Sequence, residues 1–190
     1  MTFLPQHSQD EFAVTRSWLE AVSRADIQEG LEKVYALVAR ETAQRKPLCQ
    51  ASGRCCNFTK WGHYLYVTGI EVAYTLVKFR EKPEAFDVRP PRPLPVGGAI
   101  ERTRTVSLAQ VDDARAQGDC PFLIGTLCGV HTIKPLGCRV YFCDETAQEW
   151  QRDLSERALG MIRELHDSHN IEYRYGEWRA MLDRVVAAAE

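Results

Sequence analysis

Seven cysteines are the residues of this 190-residue chain whose type and spacing could do chemistry. They form a first group, Cys49, Cys55 and Cys56, and a second group, Cys120, Cys128, Cys138 and Cys143. Glycines and prolines stand near most of them, and short spacings in such turn-rich segments let one loop present several thiolates to one ion. The pattern therefore predicts that all seven cysteines are metal ligands.

The choice of metal follows from the softness of sulfur. Thiolates match zinc and iron–sulfur centres better than magnesium, calcium or manganese, so the predicted cofactor is zinc or iron, with an iron–sulfur cluster as one form. A zinc ion or a four-iron cluster takes four protein ligands, and seven cysteines exceed one such set. Two centres, one centre with bystander thiols, and a binuclear centre with bridging thiolates all stay open.

Three other interpretations of the cysteines are weaker. Buried core cysteines behave as small hydrophobes, but seven of them confined to about half of the chain do not fit that role. An odd count leaves one thiol over in a disulfide framework, and the first residues lack the pattern of a signal peptide, so we expect a reducing, cytoplasmic location. The chain has no C-x-x-C pair, which argues against a thioredoxin-like role.

Two histidines lie close to the cysteines in sequence and could complete a ligand set. His131 follows Cys128 with C-x2-H spacing, although a loop or core histidine is the commoner case. His63 follows Cys56 by seven residues, and a position behind the ligands or at the surface is favoured. Whether either histidine binds metal is left open by the sequence.

Basic and aromatic residues also adjoin the cysteines. Four thiolates around Zn²⁺ leave a net charge of about −2, which Arg54 and Arg139 could offset while donating hydrogen bonds to sulfur. Lys134 is expected to be an ordinary surface base. Three tyrosines are expected to pack around the centre: Tyr64, Tyr66 and Tyr141.

Composition narrows the function classes. The net charge of −2 gives no basic excess for nucleic acid, and no apolar run reaches the roughly 18–20 residues of a membrane span. Phosphate-binding and dinucleotide-binding glycine motifs are absent. The arginine-rich stretch 89–104 is broken by prolines and is expected to be a solvated loop. The expected partner is a metal ion, without nucleic acid or membrane, and the sequence leaves a protein partner open.

Hydrophobic periodicity predicts the elements that must position the cysteines. Helices are predicted at about 9–22, 26–44, 70–79, 108–117, 147–165 and 178–186, and strands at 63–67 and 171–175. Capping boxes are predicted to begin three of these helices, at Thr68, Ser107 and Thr146. Residues 49–62 are predicted to be a loop, 83–98 a surface loop, and 120–143 an irregular segment with little room for a helix. The expected fold is mainly α with small irregular β, a single domain over 1–190. Helical scaffolds at 1–48 and 146–190 flank a metal-binding core at 49–144.

The cysteine pattern resembles the YkgJ-type CxxCxxCC family, which is described as zinc- or iron-chelating. The resemblance rests on the first cysteine group, on Thr68-x-x-Glu71, on Cys120-Pro-Phe-Leu and on the segment Lys134 to Cys143, and it covers about residues 49–144. Ser52 stands where the family has a further cysteine, and Lys134 where it usually has arginine. The resemblance implies metal chelation, because the family's biochemical role is mostly unassigned.

Two alternatives to simple metal binding follow. A distant similarity to the cysteine-cluster region of flagellin lysine N-methylases implies an iron–sulfur-dependent enzyme that modifies a protein. An adaptor or metal carrier is the other alternative, in which the centre shapes a protein-binding surface. The catalytic residues and the question whether the protein is an enzyme stay open.

Overall fold

Helices make up most of the structure. A computed structural model of the chain describes residues 6–88 and 105–190, with the backbone alone for residues 6–9. The α-helices in these ranges are α1 (Gln6–Val22), α2 (Ala25–Arg45), α3 (Phe58–Trp61), α4 (Gly69–Glu81), α5 (Leu108–Gln117), α6 (Leu136–Arg139), α7 (Gln148–Ser168) and α8 (Trp178–Ala189). The strands are β1 (Tyr66–Thr68), β2 (Leu123–Ile124), β3 (Leu127–Cys128) and β4 (Tyr175–Glu177). The prediction of a mainly α fold with small β elements is confirmed.

The long helices bury the apolar faces that their periodicity predicts. In α2 the buried residues are Ile27, Leu31, Val34, Tyr35 and Val38, and in α8 they include Trp178, Met181, Leu182, Val185 and Val186. In α7 the buried face is Leu154, Ala158, Ile162 and His166, a strict four-residue series. Met161 of α7 is exposed, and the buried face includes His166, so the expectation from the sequence that His166 is solvated is wrong.

Local side-chain bonds decide where several helices begin. Thr68 and Glu71 form the predicted capping box of α4, and Ser107 and Gln110 form that of α5. The cap predicted at Thr146 is wrong. There the carboxylate of Asp144 accepts hydrogen bonds from the backbone N–H and hydroxyl of Thr146, and α7 begins only at Gln148.

The two predicted strands exist but begin three and four residues further along the chain and end one and two residues further along. β1 and β4 pair antiparallel, with Tyr66 opposite Glu177 and Thr68 opposite Tyr175. The N–H of Trp178 donates to the carbonyl oxygen of Leu65 and extends the pairing into α8. The ends of each strand are set by pairing with a partner strand more than 100 residues away. The sequence of one segment alone does not contain this pairing.

Helices from the two ends of the chain pack together around α4. Helix α4 is buried along most of its length and contacts α1 and α8, and α2 packs on α7. A cluster of buried apolar side chains extends through these contacts. Within the part of the chain that the structure describes, no helix combines the length and apolar character that crossing a bilayer requires.

The centre of the chain is more ordered than the sequence predicts. The segment 120–143, expected to leave little room for a helix, contains the β2–β3 hairpin and the single turn of α6. The loop expected before residue 62 contains α3. Of the loop predicted at 83–98, only 83–88 is described, and Pro83–Ala85 is a 3₁₀ turn. The arginine-rich stretch 89–104 lies outside the described residues.

The carboxylate of Glu71 joins three of these elements in the interior. One of its oxygens accepts hydrogen bonds from the backbone N–H and hydroxyl of Thr68, at 3.0 and 2.9 Å. The other accepts from the backbone N–H of Leu136 at 2.6 Å and from the hydroxyl of Tyr35 at 3.3 Å. Glu71 is 1% exposed, and burial raises the pKa of its carboxyl while these donors oppose the shift. The start of α6 is thereby held against α4 and α2.

We expect Glu71→Gln to lower the free energy of unfolding by about 1–3 kcal/mol at neutral pH, because the amide nitrogen of glutamine would face buried hydrogen-bond donors. Urea denaturation of both proteins measures the difference. Glu164→Gln, on the exposed face of α7, makes the same chemical change without such donors and should stay within about 0.5 kcal/mol of wild type. Equal stability of the three proteins would contradict this role of Glu71.

Candidate metal centre

All seven cysteines line one cavity of about 250 Å³. We call it the cysteine cavity; it is lined by Cys49, Cys55, Cys56, Cys120, Cys128, Cys138 and Cys143, together with residues that include His131, Lys134, Tyr141 and Trp178. All seven are free thiols, of which Cys56 and Cys120 are buried and Cys49 is exposed. The fold therefore brings together two groups of cysteines that are separated by 63 residues of sequence.

A tight turn presents the first group. Gly53 has a φ of 69°, in the left-handed region that glycine adopts without steric penalty. The 3₁₀ turn Arg54–Cys56 follows it, and the N–H of Cys56 donates to the carbonyl oxygen of Gly53 at 2.9 Å. The side-chain amide of Asn57 donates to the same oxygen at 3.0 Å. The turn thereby places Cys55 and Cys56 side by side in the cavity wall.

Backbone hydrogen bonds position the second group against the first. The N–H of Cys120 donates to the carbonyl oxygen of Cys56 at 2.9 Å, which joins the two groups directly. Cys128 lies on the β2–β3 hairpin, opposite Leu123. Cys138 lies on the single turn of α6, whose first N–H is bound by Glu71. A Cβ atom at Gly137 would come within 2.8 Å of the carbonyl oxygen of Tyr66, so this turn needs glycine for close approach.

The sulfur of Cys56 is at the centre of the thiol contacts. It lies 3.9 Å from the sulfur of Cys55 and also interacts with the thiols of Cys120 and Cys128. The thiol of Cys138 interacts electrostatically with Cys120, Cys128 and Cys55. We call these five residues, Cys55, Cys56, Cys120, Cys128 and Cys138, the inner cysteines. Cys49 and Cys143 line the same cavity outside this set of sulfur contacts.

The pKa values of the inner cysteines are shifted in opposite directions. A hydrogen bond from Cys56 lowers the pKa of Cys55 to about 6 against the opposing effect of burial, and the charge of Lys134 assists. A hydrogen bond from Cys56 likewise lowers the pKa of Cys128 to about 7, with help from the backbone N–H of Val130 and Lys134. Contacts with Cys120, Cys128 and Cys55 raise the pKa of Cys56, and burial raises that of Cys138.

The basic residues near the cysteines behave differently from one another. Lys134 lines the cavity and lowers the pKa of two thiols, so the expectation of an ordinary surface base is wrong. The guanidinium of Arg139 lies 3.9 Å from the centroid of the Tyr35 ring and donates to the carbonyl oxygen of Thr132. Arg54 lines the cavity, with its guanidinium 4.5 Å from the centroid of the Trp61 ring.

The two candidate histidines occupy different places. His131 lines the cysteine cavity, and the charge of Lys134, followed by burial, lowers its pKa. His63 is not among the lining residues. It stacks on Tyr141, with the ring centroids 4.8 Å apart, and burial lowers its pKa. His63 therefore lies behind Tyr141 in the cavity wall. His131 itself lines the cavity and could contact an ion bound there.

Of the three tyrosines that were expected to pack around the centre, only Tyr141 does so. Tyr141 lines the cavity, but Tyr64 and Tyr66 are 63% and 48% exposed. The residue that sequence reasoning missed is Trp178, whose indole N–H donates to the sulfur of Cys120 at 3.3 Å. The sequence signal for Trp178 was only its place on the apolar face of the last helix, which predicts burial and not a contact with sulfur.

The donor chemistry of the cavity fits a thiophilic metal, but its sulfurs do not form a ready-made ligand set. In residues 6–88 and 105–190, no three or more His, Cys, Asp or Glu side chains are placed so that they could hold a metal ion. Metal binding therefore requires the sulfurs to shift from their mutual contacts toward a common ion.

Comparison with known proteins identifies no relative. No protein-family profile matches the chain, and neither do the curated proteins or the solved structures. The resemblance to the CxxCxxCC family therefore stays a prediction that rests on the cysteine pattern.

In the metal-free protein, we expect Cys55 and Cys128 to react with iodoacetamide with pH midpoints near 6 and 7. Lys134→Gln removes the cation that favours both thiolates, so both midpoints should move to higher pH. Mass spectrometry of peptides alkylated across a pH series measures each site separately.

Lys33→Gln is the matched control for this measurement. It removes the same charge from the exposed face of α2 and should leave both midpoints unchanged. Midpoints that do not move in Lys134→Gln, or that move equally in both variants, would contradict the assigned effect of Lys134.

Proposed function

We propose that this protein binds zinc or iron, the latter as an iron–sulfur cluster, through the thiols of the cysteine cavity. The observation that carries the proposal is the convergence of all seven cysteines of the chain on one cavity. Chance burial of small apolar side chains gives no reason for two distant groups to meet there, whereas a shared ion does. We place this function in the cytoplasm, where free thiols persist.

The inner cysteines are the proposed ligands. Four sulfurs at about 2.3 Å from a zinc ion stand about 3.8 Å apart in a tetrahedron. The distance of 3.9 Å between the sulfurs of Cys55 and Cys56 is close to that edge. Metal binding needs thiolates, and the lowered pKa values of Cys55 and Cys128 supply two of them near neutral pH.

Local structure supports the movement that closure around an ion requires. The inner cysteines lie on a 3₁₀ turn, on the two-residue strand β3, on the single turn of α6 and, for Cys120, on the segment between α5 and β2. Such short elements have few internal hydrogen bonds to break, so their sulfurs can shift while the long helices keep their packing. The free energy of metal binding would then stabilise the closed arrangement.

The alternatives derived from the sequence stay predictions. An iron–sulfur enzyme acting on a protein would need a substrate site beside the centre, and a carrier would need an exposed thiol through which the metal leaves. Cys49 is exposed and lines the cavity, which supports a carrier more than a sealed structural site. The position of His131 in the cavity wall offers a nitrogen ligand in place of a further thiol.

Metal analysis of protein purified without oxygen tests the proposal. We expect a stoichiometric metal, either colourless zinc or a brown iron centre with acid-labile sulfide. Cys56→Ser should lose most of this metal, because Cys56 has the most sulfur neighbours. Cys49→Ser is the matched control and should retain it, since Cys49 is exposed. Wild-type protein that holds no zinc or iron after anaerobic purification, and binds neither when it is added, would overturn the proposal.

Removing the metal should loosen the centre selectively. Hydrogen exchange by mass spectrometry should show faster exchange after chelation in 53–56 and 136–143, because these segments supply ligands and depend on the bound ion. Helix α1 should exchange at the same rate in both states, since it packs on α2, α4 and α8 and carries no proposed ligand. Unchanged protection across 53–143 would contradict a structural contribution of the metal.

A further inference from the structure

The indole of Trp178 is in direct contact with the cysteine cavity. Trp178 is 1% exposed and Cys120 is 4% exposed, and the indole N–H donates to the sulfur of Cys120 at 3.3 Å. Indole nitrogen is a donor only, and burying it without an acceptor is unfavourable. The sulfur of Cys120 therefore satisfies the buried indole N–H of Trp178.

Both ends of this hydrogen bond are held by the backbone. The N–H of Trp178 donates to the carbonyl oxygen of Leu65 at 2.9 Å, and the N–H of Cys120 donates to that of Cys56 at 2.9 Å. The side chain of Glu177 caps α8 directly before Trp178. The Phe122 ring packs beside the indole, with the centroids 6.0 Å apart. The indole is thus fixed in place before any ligand binds.

A fixed N–H donor has a definite effect on a thiol ligand. A thiolate accepts a stronger hydrogen bond than a neutral thiol does, because the acceptor is charged. The donor also fixes the direction from which the remaining lone pairs of the Cys120 sulfur reach the cavity. Groups that contact ligands in this way typically change metal affinity by about 10–100-fold when they are removed.

We propose that Trp178 is a positioning residue of the metal centre, whose indole N–H orients the sulfur of Cys120 and tunes the charge that this sulfur gives to a bound ion. The inference rests on the proposed function, since it assigns a role toward the same metal. It adds a residue from the C-terminal helix to a site that is otherwise built from residues 49–143.

The chain contains a matched control for this contact. Trp18 is also 1% exposed, and its indole N–H donates to the carbonyl oxygen of Glu172 at 2.9 Å. Trp18→Phe and Trp178→Phe therefore remove the same indole and one buried hydrogen bond each. Only Trp178→Phe removes a donor from a sulfur, so the two variants separate loss of packing from loss of the sulfur contact.

Titration with cobalt(II) under anaerobic conditions tests the proposal. Cobalt bound to thiolates has sulfur-to-metal charge-transfer bands, whose energy reports the charge on sulfur. We expect Trp178→Phe to shift these bands and to weaken cobalt binding by about 10–100-fold. Trp18→Phe should match wild type in band position and bind cobalt within about threefold of the wild-type affinity. Its packing loss lies far from the proposed ligands, so its effect on stability adds independently and leaves cobalt affinity intact.

The outcomes separate this inference from the function on which it rests. If wild type binds cobalt and Trp178→Phe reproduces its bands and affinity, the inference is overturned and metal binding stands. If both tryptophan variants lose affinity equally, the effect is one of packing, and the inference is again overturned. If wild type binds none of cobalt, zinc and iron, the proposed function fails, and this inference fails with it.

A second measurement applies if Trp178→Phe does not fold. Among the four tryptophans, the indole ¹⁵N–¹H resonance of Trp178 in wild type should move when zinc is added, because its acceptor sulfur becomes a metal ligand. The Trp18 resonance, assigned from Trp18→Phe, should stay in place. A Trp178 resonance that does not move on saturation with zinc would overturn the proposal.

Discussion

The arrangement of the centre depends on one buried carboxylate. Glu71 is 1% exposed, and an ionised group in that position is tolerated only when hydrogen bonds replace its lost water. Its four donors come from β1, α2 and the start of α6, so satisfying this charge draws those elements together. The turn that carries Cys138 is placed by this requirement. The cavity thus depends on an interaction in which no cysteine takes part.

The thiols themselves oppose one another. Crowding sulfurs into a partly buried cavity raises the pKa of Cys56 and Cys138, while hydrogen bonds from Cys56 and the charge of Lys134 lower the pKa of Cys55 and Cys128. A cluster of only thiols would stay protonated, and a cluster of only thiolates would repel itself. The mixed state keeps some thiols ionised near neutral pH, which is the form that the proposed metal would bind.

The long helices do more than surround this cavity. Helix α8 supplies the hydrogen-bond donor to Cys120, and its first N–H extends the β1–β4 pairing through Leu65. Helix α2 supplies Tyr35, which bonds Glu71 and carries the guanidinium of Arg139 on its ring. A division into helical scaffold and cysteine core follows the order of the sequence, but side chains from both ends of the chain reach the centre.

Sequence alone determined the six longer helices, because their apolar spacing and the capping boxes at Thr68 and Ser107 are local signals. The residue type and the clustering of the seven cysteines along the chain also predicted that they belong to one site. Tertiary structure decided which sulfurs touch, that Lys134 acts on thiols, that His63 stands behind Tyr141, and that Trp178 reaches Cys120. These contacts join residues up to 79 positions apart, such as Cys55 and Lys134, and no periodicity or spacing within one segment encodes them.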